Sequence, residues 1–172
     1  MRILGIDPGF ERLGIAILEK SKGDKKEKVI FSECFKTSSK LDFSERLRLI
    51  GEEVKKIIKE YKPEILAIET LFLNTNQKTV MRVAEARGVV IYESIQAGLR
   101  VFEASPPQIK MATTGYGRSD KTQINKMVKI LVDLDKNKIY PTNGRGSDDE
   151  LDAIAIALTA FAYNRSTLIN TK

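Results

Sequence analysis

The order of the elements that the sequence predicts indicates an α/β fold, with one sheet covered by helices on both faces. Short apolar runs that end in turn residues predict strands, and longer segments with apolar residues at helical spacing predict helices. Along the chain this gives three strands, a helix, a strand, a helix, a strand and further helices. The length of 172 residues suits a single domain, residues 1–172, with one core.

Five apolar runs predict the strands of this sheet. The first three are separated by short turns and are typical of an antiparallel meander. The fourth is apolar at each of its positions, as in a strand that is covered on both faces. The predicted strands are residues 3–7, 13–18, 28–36, 65–68 and 100–104.

Helical spacing and helix-end signals predict four helices. The third begins near Ser119 or Asp120, either of which suits an N-cap. The last begins with a capping box, Ser147 and Glu150, and is apolar nearly all round, so it should be buried. Residues 105–107, Ser-Pro-Pro, are expected only to break the fifth strand, and a loop is expected over 135–146. The predicted helices are residues 43–61, 77–97, 120–134 and 147 onward.

Composition excludes several classes of protein. With 42% hydrophobic and 30% charged residues, the chain should be globular rather than disordered. No apolar run approaches the ~18 residues of a membrane span, Asp7 comes too early for a signal peptide, and Cys34 alone cannot form an internal disulfide. We therefore expect a cytoplasmic protein without a membrane partner. The net charge of +6 favours a polyanionic partner, although many basic proteins bind no nucleic acid.

The chain contains no histidine. This excludes a Ser-His-Asp triad, a Cys-His nucleophile and a histidine-ligated zinc site. Hydrolytic chemistry would have to use carboxylates, lysines, tyrosines or hydroxyls. Carboxylates favour oxygen-binding metals, chiefly magnesium and manganese.

Acidic residues stand at the ends of two predicted buried strands and at the start of a buried helix. Asp7 ends the first strand and Glu69 the fourth, while Asp149 and Asp152 lie three residues apart on one helical face. Ligands of α/β sheets bind beyond the carboxyl ends of the strands, where Asp7 and Glu69 would meet if their strands are parallel neighbours. The alternatives are a turn aspartate, a salt-bridged glutamate and favourable partners of the helix dipole.

Convergence of these acids would favour metal binding. Several carboxylates at one sheet edge repel one another, and their pKa values rise unless cations compensate. Two divalent ions about 3.5–4 Å apart can activate a water and stabilise the leaving oxygen in phosphodiester hydrolysis. The pattern therefore indicates a metal-dependent phosphodiesterase.

Five ordered segments within residues 2–157 resemble motifs of the RuvC family of Holliday junction resolvases. A G-I-D-x-G sequence alone also occurs in actin-like phosphotransferases, but five segments in order are specific. They are I-L-G-I-D-P-G at 3–9, A-I-E at 67–69 followed by Phe72, E-A-R-G-V at 85–89, Q-I-K through T-G-Y-G-R-S-D-K at 108–121, and D-E-L-D-A-I-A-I-A at 149–157.

The resemblance implies a magnesium-dependent endodeoxyribonuclease with an RNase H-like fold, a mixed five-stranded sheet with helices on both faces. It implies that Asp7, Glu69, Asp149 and Asp152 are catalytic and bind two Mg²⁺ ions, with Mn²⁺ able to substitute. It further implies a homodimer that nicks a four-way DNA junction symmetrically in homologous recombination and DNA repair. The branch-migration proteins RuvA and RuvB would be its partners.

The sequence departs from the family pattern in three places. Glu150 and Leu151 replace the small residues often found between the last two acids, the loop 136–146 is longer and more polar, and no histidine follows the closing motif. Asp148 adjoins the third acid and makes its identity ambiguous. We prefer Asp149 because its three-residue spacing to Asp152 fits the motif.

The resemblance also predicts contacts to DNA. Lys110, Arg118 and Lys121 would contact phosphates, as would Lys126, although an ordinary solvated loop and helix face would have the same composition. Phe72 would stack on a base at the junction centre, whereas most phenylalanines belong to the core.

Three other functions would share parts of this pattern. Another RNase H-like nuclease, such as one that trims RNA precursors, would share Asp7 and Glu69. A junction-binding protein without catalysis would lack one or more of the four acids, and all four positions are acidic here. An actin-like ATPase would need two related domains, for which the chain is too short.

Overall fold

The computed structural model describes residues 1–71, 77–134 and 148–169. Its centre is a five-stranded sheet with the strand order β3-β2-β1-β4-β5. The first three strands pair antiparallel, and β1–β4 and β4–β5 pair parallel, so the predicted mixed sheet and meander are confirmed. The strands are β1 Arg2–Asp7, β2 Arg12–Glu19, β3 Lys28–Lys36, β4 Ile65–Glu69 and β5 Arg100–Ala104.

Helices cover both faces of the sheet, as the sequence predicts. Successive side chains of a strand point to opposite faces, so Leu4 and Ile6 of β1 join one hydrophobic cluster and Ile3 the other. The first two helices pack on the former face, and the last three on the latter. The helices are α1 Phe43–Tyr61, α2 Gln77–Gln96, α3 Pro106–Thr114, α4 Lys121–Leu131 and α5 Asp149–Ile169.

The start of α5 lies directly on the strands of the meander. A Cβ atom on Gly5 of β1 would overlap the carbonyl oxygen of Ala153 and lie 2.8 Å from the Cβ of Ala157. A Cβ atom on Gly14 of β2 would overlap the carbonyl oxygen of Asp149. Glycine at these two positions therefore lets the N-terminal turns of α5 touch β1 and β2, next to Asp7.

The helix α3 was not predicted, because the Ser-Pro-Pro sequence was interpreted only as the end of a strand. Proline is well tolerated in the first turn of a helix, where its missing N–H would have no partner. Pro106 and Pro107 occupy this first turn, and the side-chain oxygen of Gln108 accepts a hydrogen bond of 2.8 Å from the backbone N–H of Ser105.

The helix α4 ends three residues earlier than predicted. Its beginning agrees with the prediction, since the side chain of Asp120 accepts a 2.8 Å hydrogen bond from the backbone N–H of Gln123. At its end, Val132 is extended and Asp133 pairs with the start of β3, exchanging backbone hydrogen bonds with Glu27 and Val29. The predicted loop 135–146 and the cap Ser147 lie outside the described residues. Among the described helices, none has the length and apolar character needed to cross a membrane.

Candidate active site

A cavity of about 250 Å³ opens at the carboxyl ends of β1 and β4. Its wall combines acidic and basic groups with apolar side chains from three helices. Its lining residues are Asp7, Glu69, Pro106, Ile109, Lys110, Lys121, Ile124, Asp152, Ala155 and Ile156.

Strand geometry brings Asp7 and Glu69 to this cavity. The strands β1 and β4 are parallel neighbours, with Ile6 beside Ile68, so the next residue of each strand carries its acid to the same sheet edge. Side chains alternate along a strand, and Asp7 therefore points to the α5 face, as Ile3 does. This is the arrangement that the sequence predicts for the two strand ends.

The backbone of Glu69 is held from the opposite face by Arg87 of α2. The Nε atom of Arg87 donates a 3.0 Å hydrogen bond to the carbonyl oxygen of Glu69. The same guanidinium forms a salt bridge with Glu103 of β5. Arg87 belongs to the E-A-R-G-V segment. This residue of the motif therefore helps to fix the backbone at the end of β4.

The side chain of Asp152 reaches the cavity from the first turns of α5 and meets Lys121 there. The Nζ atom of Lys121, the first residue of α4, donates a 2.8 Å hydrogen bond to Oδ2 of Asp152. It also lies 3.6 Å from Oδ2 of Asp148. Burial favours the neutral amine, but the hydrogen bond and charge of Asp152 outweigh it, so the pKa of Lys121 is raised.

The acids of the cavity resist ionisation. Burial, followed by the charges of Asp152, Glu69 and Asp149, raises the pKa of Asp7 to about 8. Burial and the charge of Asp152 raise the pKa of Glu69. Burial also raises the pKa of Asp152, although the hydrogen bond from Lys121 opposes it. The group is short of positive charge, which is the condition that a bound cation relieves.

Asp149 does not line the cavity. Its Oδ2 atom accepts a hydrogen bond of 2.8 Å from Nε of Arg12 and lies 2.6 Å from a terminal nitrogen of the same guanidinium. The Sγ atom of Cys34 lies 3.1 Å from this oxygen as well. The structure thus brings Asp7, Glu69 and Asp152 together, while the carboxylate of Asp149 turns toward β2 and β3.

Asp148 is the alternative to Asp149 as the third acid, and its Oδ2 atom lies 3.6 Å from Nζ of Lys121. The residue is only 5% exposed, and its buried Oδ1 atom has no hydrogen-bond partner in the described part of the chain. An unpaired buried carboxylate oxygen is costly and is therefore a candidate ligand atom for a cation.

Some of the predicted DNA-contacting residues line the cavity, and others are exposed outside its lining. Lys110 of α3 lines the cavity together with Lys121. Arg118 is exposed in the turn between α3 and α4, and Lys126 is exposed on α4. Phe72 lies outside the described residues, so its surroundings are not part of this description.

The sequence of the chain matches a known family over most of its length. The sequence profile described as "Crossover junction endodeoxyribonuclease RuvC" matches residues 3–160. The chain belongs to the RuvC family. The function predicted from the sequence, a Holliday junction resolving endonuclease, is thereby confirmed at the level of the family, and membership implies dependence on a divalent metal ion.

RuvC relatives cover nearly the whole chain. The protein named crossover junction endodeoxyribonuclease RuvC from Caldicellulosiruptor saccharolyticus is 44% identical over 168 residues, 98% of this chain and 96% of the relative. The one from Thermosipho melanesiensis is 45% identical over 157 residues, 91% of this chain and 94% of the relative.

A solved structure of RuvC confirms the fold. The structure of Thermus thermophilus RuvC in complex with a Holliday junction substrate superposes with a TM-score of 0.85 and is 30% identical. The match covers 97% of this chain and 96% of that one. The predicted RNase H-like fold is therefore confirmed.

The donor set of the cavity fits the divalent ion that RuvC membership implies. Carboxylate oxygens are the ligands that magnesium and manganese prefer. Burial and the neighbouring acids raise the pKa of Asp7, and a bound cation would oppose both effects. Within the described residues, however, no three acidic side chains lie close enough together to hold an ion. A metal site built from the acids of the cavity would therefore require their side chains to rotate closer together.

Sequence reasoning did not predict two parts of this candidate site. The apolar wall from α3, with Pro106 and Ile109, was missed with the helix itself, although Ser105 with a glutamine three residues later is a helix-start signal. Arg12 was missed because nothing local marks it, and its partner Asp149 is 137 residues away in the sequence.

Proposed function

We propose that residues 1–172 act as one nuclease domain that resolves four-way DNA junctions by metal-dependent hydrolysis of phosphodiester bonds. The observation that carries the proposal is the cavity in which Asp7, Glu69 and Asp152 face one another beside Lys121. Family membership supports the reaction class, and the junction complex of the Thermus relative supports the substrate.

Four carboxylates would hold the metal in this proposal. Asp7, Glu69 and Asp152 would bind from the cavity, and Asp149 would join them from the first turn of α5. We propose two Mg²⁺ ions, with Mn²⁺ able to substitute. When bound, such ions supply a nucleophilic water and stabilise the leaving oxygen.

The lysines of the cavity would act on the DNA itself. Lys121 is half exposed and carries its charge within 2.8 Å of Asp152, so a phosphate bound at the carboxylates would lie beside its ammonium group. This charge stabilises the negative charge that develops on the phosphate during hydrolysis. Lys110 would hold an adjacent phosphate oxygen from the α3 wall.

The wider DNA surface would include Arg118, exposed in the turn before α4, and Lys126, exposed on α4 itself. Their charges neutralise phosphates without reading sequence. Phe72 follows Glu69 by three residues and would stack on an unpaired base at the junction centre. The net charge of +6 supports a polyanionic partner.

A homodimer would present two such cavities to the two symmetric cleavage points of a junction. Its candidate interface is an apolar stripe on α2, where Met81, Tyr92 and Ile95 are 65%, 60% and 57% exposed. These positions recur on one helical face, away from the core. RuvA and RuvB as partners, and a cytoplasmic location, stay predictions from the sequence.

A cleavage assay with a substrate panel tests the proposal. Wild-type protein with Mg²⁺ should cut a four-way junction and leave linear duplex DNA and structured RNA intact. Asp7→Asn should bind the junction with wild-type affinity and fail to cut it, because binding uses the basic surface and hydrolysis uses the metal. Cutting by Asp7→Asn would refute the carboxylate assignment, and preferential cutting of RNA would indicate a different RNase H-like nuclease.

Separate variants at positions 148 and 149 decide the third acid. Asp149→Asn should abolish cleavage, whereas Asp148→Asn should retain part of it. The reverse result would assign the metal to Asp148, whose Oδ2 lies 3.6 Å from Lys121 and whose Oδ1 is buried without a partner in the described residues. If the wild-type protein binds the junction but never cuts it when metal is added, it is instead a junction-binding protein without catalysis.

A further inference from the structure

The Oδ2 atom of Asp149 receives a double contact from Arg12, the first residue of β2. Both the Nε and a terminal nitrogen of the guanidinium bind this one oxygen, at 2.8 and 2.6 Å. Cys34 of β3 lies 3.1 Å from the same atom. A metal ion that binds this oxygen would therefore have to displace these contacts.

The backbone of Asp149 nevertheless lies beside the cavity. Its carbonyl oxygen packs against Gly14, and Gly14 pairs with Asp7 across the β1–β2 ladder. Asp152, one helical turn later, already lines the cavity. From this backbone position, rotation of its side chain would carry the Asp149 carboxylate toward the other acids.

We propose that Arg12 is a positioning residue that holds the Asp149 carboxylate away from the cavity until a DNA phosphate binds its guanidinium. The inference rests on the proposed function, since it needs Asp149 as a metal ligand. A guanidinium forms the same paired hydrogen bonds with phosphate as with carboxylate, so one partner can replace the other. The Arg12 side chain is 45% exposed, which leaves it accessible to DNA.

This exchange links DNA binding to metal binding. A phosphate that takes over Arg12 frees Asp149 to rotate toward the cavity, and a metal ion that binds Asp149 frees Arg12 for the phosphate. Each ligand therefore favours the other, and the coupling is equal in both directions. If Arg12 instead held Asp149 in its metal-binding orientation, its removal would weaken metal binding, so the two roles predict opposite signs.

Metal binding to the DNA-free protein tests whether removal of Arg12 strengthens or weakens metal affinity. We expect Arg12→Gln to bind Mn²⁺ roughly fivefold tighter than wild type or more, measured by calorimetry. Arg48→Gln is the matched control, since Arg48 forms surface pairs with Glu45 and Glu52 on α1, and it should leave Mn²⁺ affinity unchanged. In an Asp149→Asn background the effect of Arg12→Gln should disappear, because its target is gone.

Junction binding gives an independent measurement. In EDTA, where cleavage cannot occur, Arg12→Gln should lower the slope of log affinity against log salt by about 1, the loss of one phosphate contact. Unchanged or weaker Mn²⁺ binding, an effect that survives Asp149→Asn, or an unchanged salt slope would each overturn the inference. Arg12→Lys, which keeps the charge but loses the paired donors, should shift Mn²⁺ affinity in the same direction by less and serves if the glutamine variant does not fold.

Failure of the proposed function can be distinguished from failure of the role proposed for Arg12. If Asp7→Asn binds Mn²⁺ as tightly as wild type, the cavity is not the metal site, whatever Arg12 does. If Asp7→Asn loses Mn²⁺ binding while Arg12→Gln matches wild type, the metal site stands and only the role of Arg12 is wrong.

Discussion

Gly5 of β1 lies directly against the backbone of Ala153 in α5, with no room for a side chain between them. Asp7 follows Gly5 by two positions, and Ala153 follows Asp152 directly. The contact therefore sets the distance between the strand end and the helix start that carry two of the cavity acids.

Gly5→Ala should consequently destabilise the protein by about 1–3 kcal/mol or more, since the added methyl group meets backbone and cannot be relieved by a rotamer change. Urea unfolding measures the loss. Gly51→Ala is the comparison, because Gly51 lies within α1, where alanine is favoured, and its Cβ would meet only a side-chain atom, Cγ1 of Val89 in α2, at 3.2 Å. Equal stability of Gly5→Ala and wild type would show that α5 can move away from β1.

Asp7 should make the metal-free protein less stable as pH rises. Its folded-state pKa of about 8 lies above the ordinary value of 3.8, so between these values the folded state holds a proton that the unfolded state releases. Stability therefore falls through this range, and the raised pKa values of Glu69 and Asp152 act in the same direction.

The Asp7→Asn substitution should remove the fall in stability that ionisation of Asp7 causes as pH rises. In EDTA at pH 8 it should be more stable than wild type by about 1–3 kcal/mol, with the difference vanishing near pH 4. Adding Mg²⁺ at pH 8 should raise the Tm of wild type and leave that of Asp7→Asn nearly unchanged. Glu60→Gln, an exposed change on α1, should behave as wild type. A wild-type stability that rises between pH 5 and pH 8 in EDTA would contradict the burial of Asp7.

Sequence reasoning located the acids that sit on regular elements. Asp7 and Glu69 were predictable because a strand fixes the face and the edge that its last residue occupies. Asp149 and Asp148 could not be distinguished in this way, because they lie at the very start of α5 and their partners come from a distant strand and a distant helix. The contacts of Asp149 with Arg12 and of Asp148 with Lys121 are tertiary, and no local pattern encodes them.

Phe72→Ala should impair junction cleavage without unfolding the protein. A base-stacking phenylalanine contributes about 1–3 kcal/mol to DNA binding and nothing to the core. We therefore expect lower cleavage at limiting protein concentration and an unchanged Tm. Phe161→Ala is the contrasting variant, because Phe161 is 1% exposed and its truncation should cost about 3–5 kcal/mol of stability. A Tm loss in Phe72→Ala as large as in Phe161→Ala would place Phe72 in the core.

Lys121→Gln should slow cleavage of a saturated junction by about tenfold or more, because the ammonium group near Asp152 no longer stabilises the charge that develops on the phosphate. Lys126→Gln on the same helix removes an equal charge at an exposed position. It should change only the salt dependence of junction binding, by a slope of about 1. Single-turnover rates at saturating protein separate the two effects. Equal rates for both variants would reduce Lys121 to a phosphate contact, whereas a defect confined to Lys121→Gln assigns its charge to the hydrolytic step.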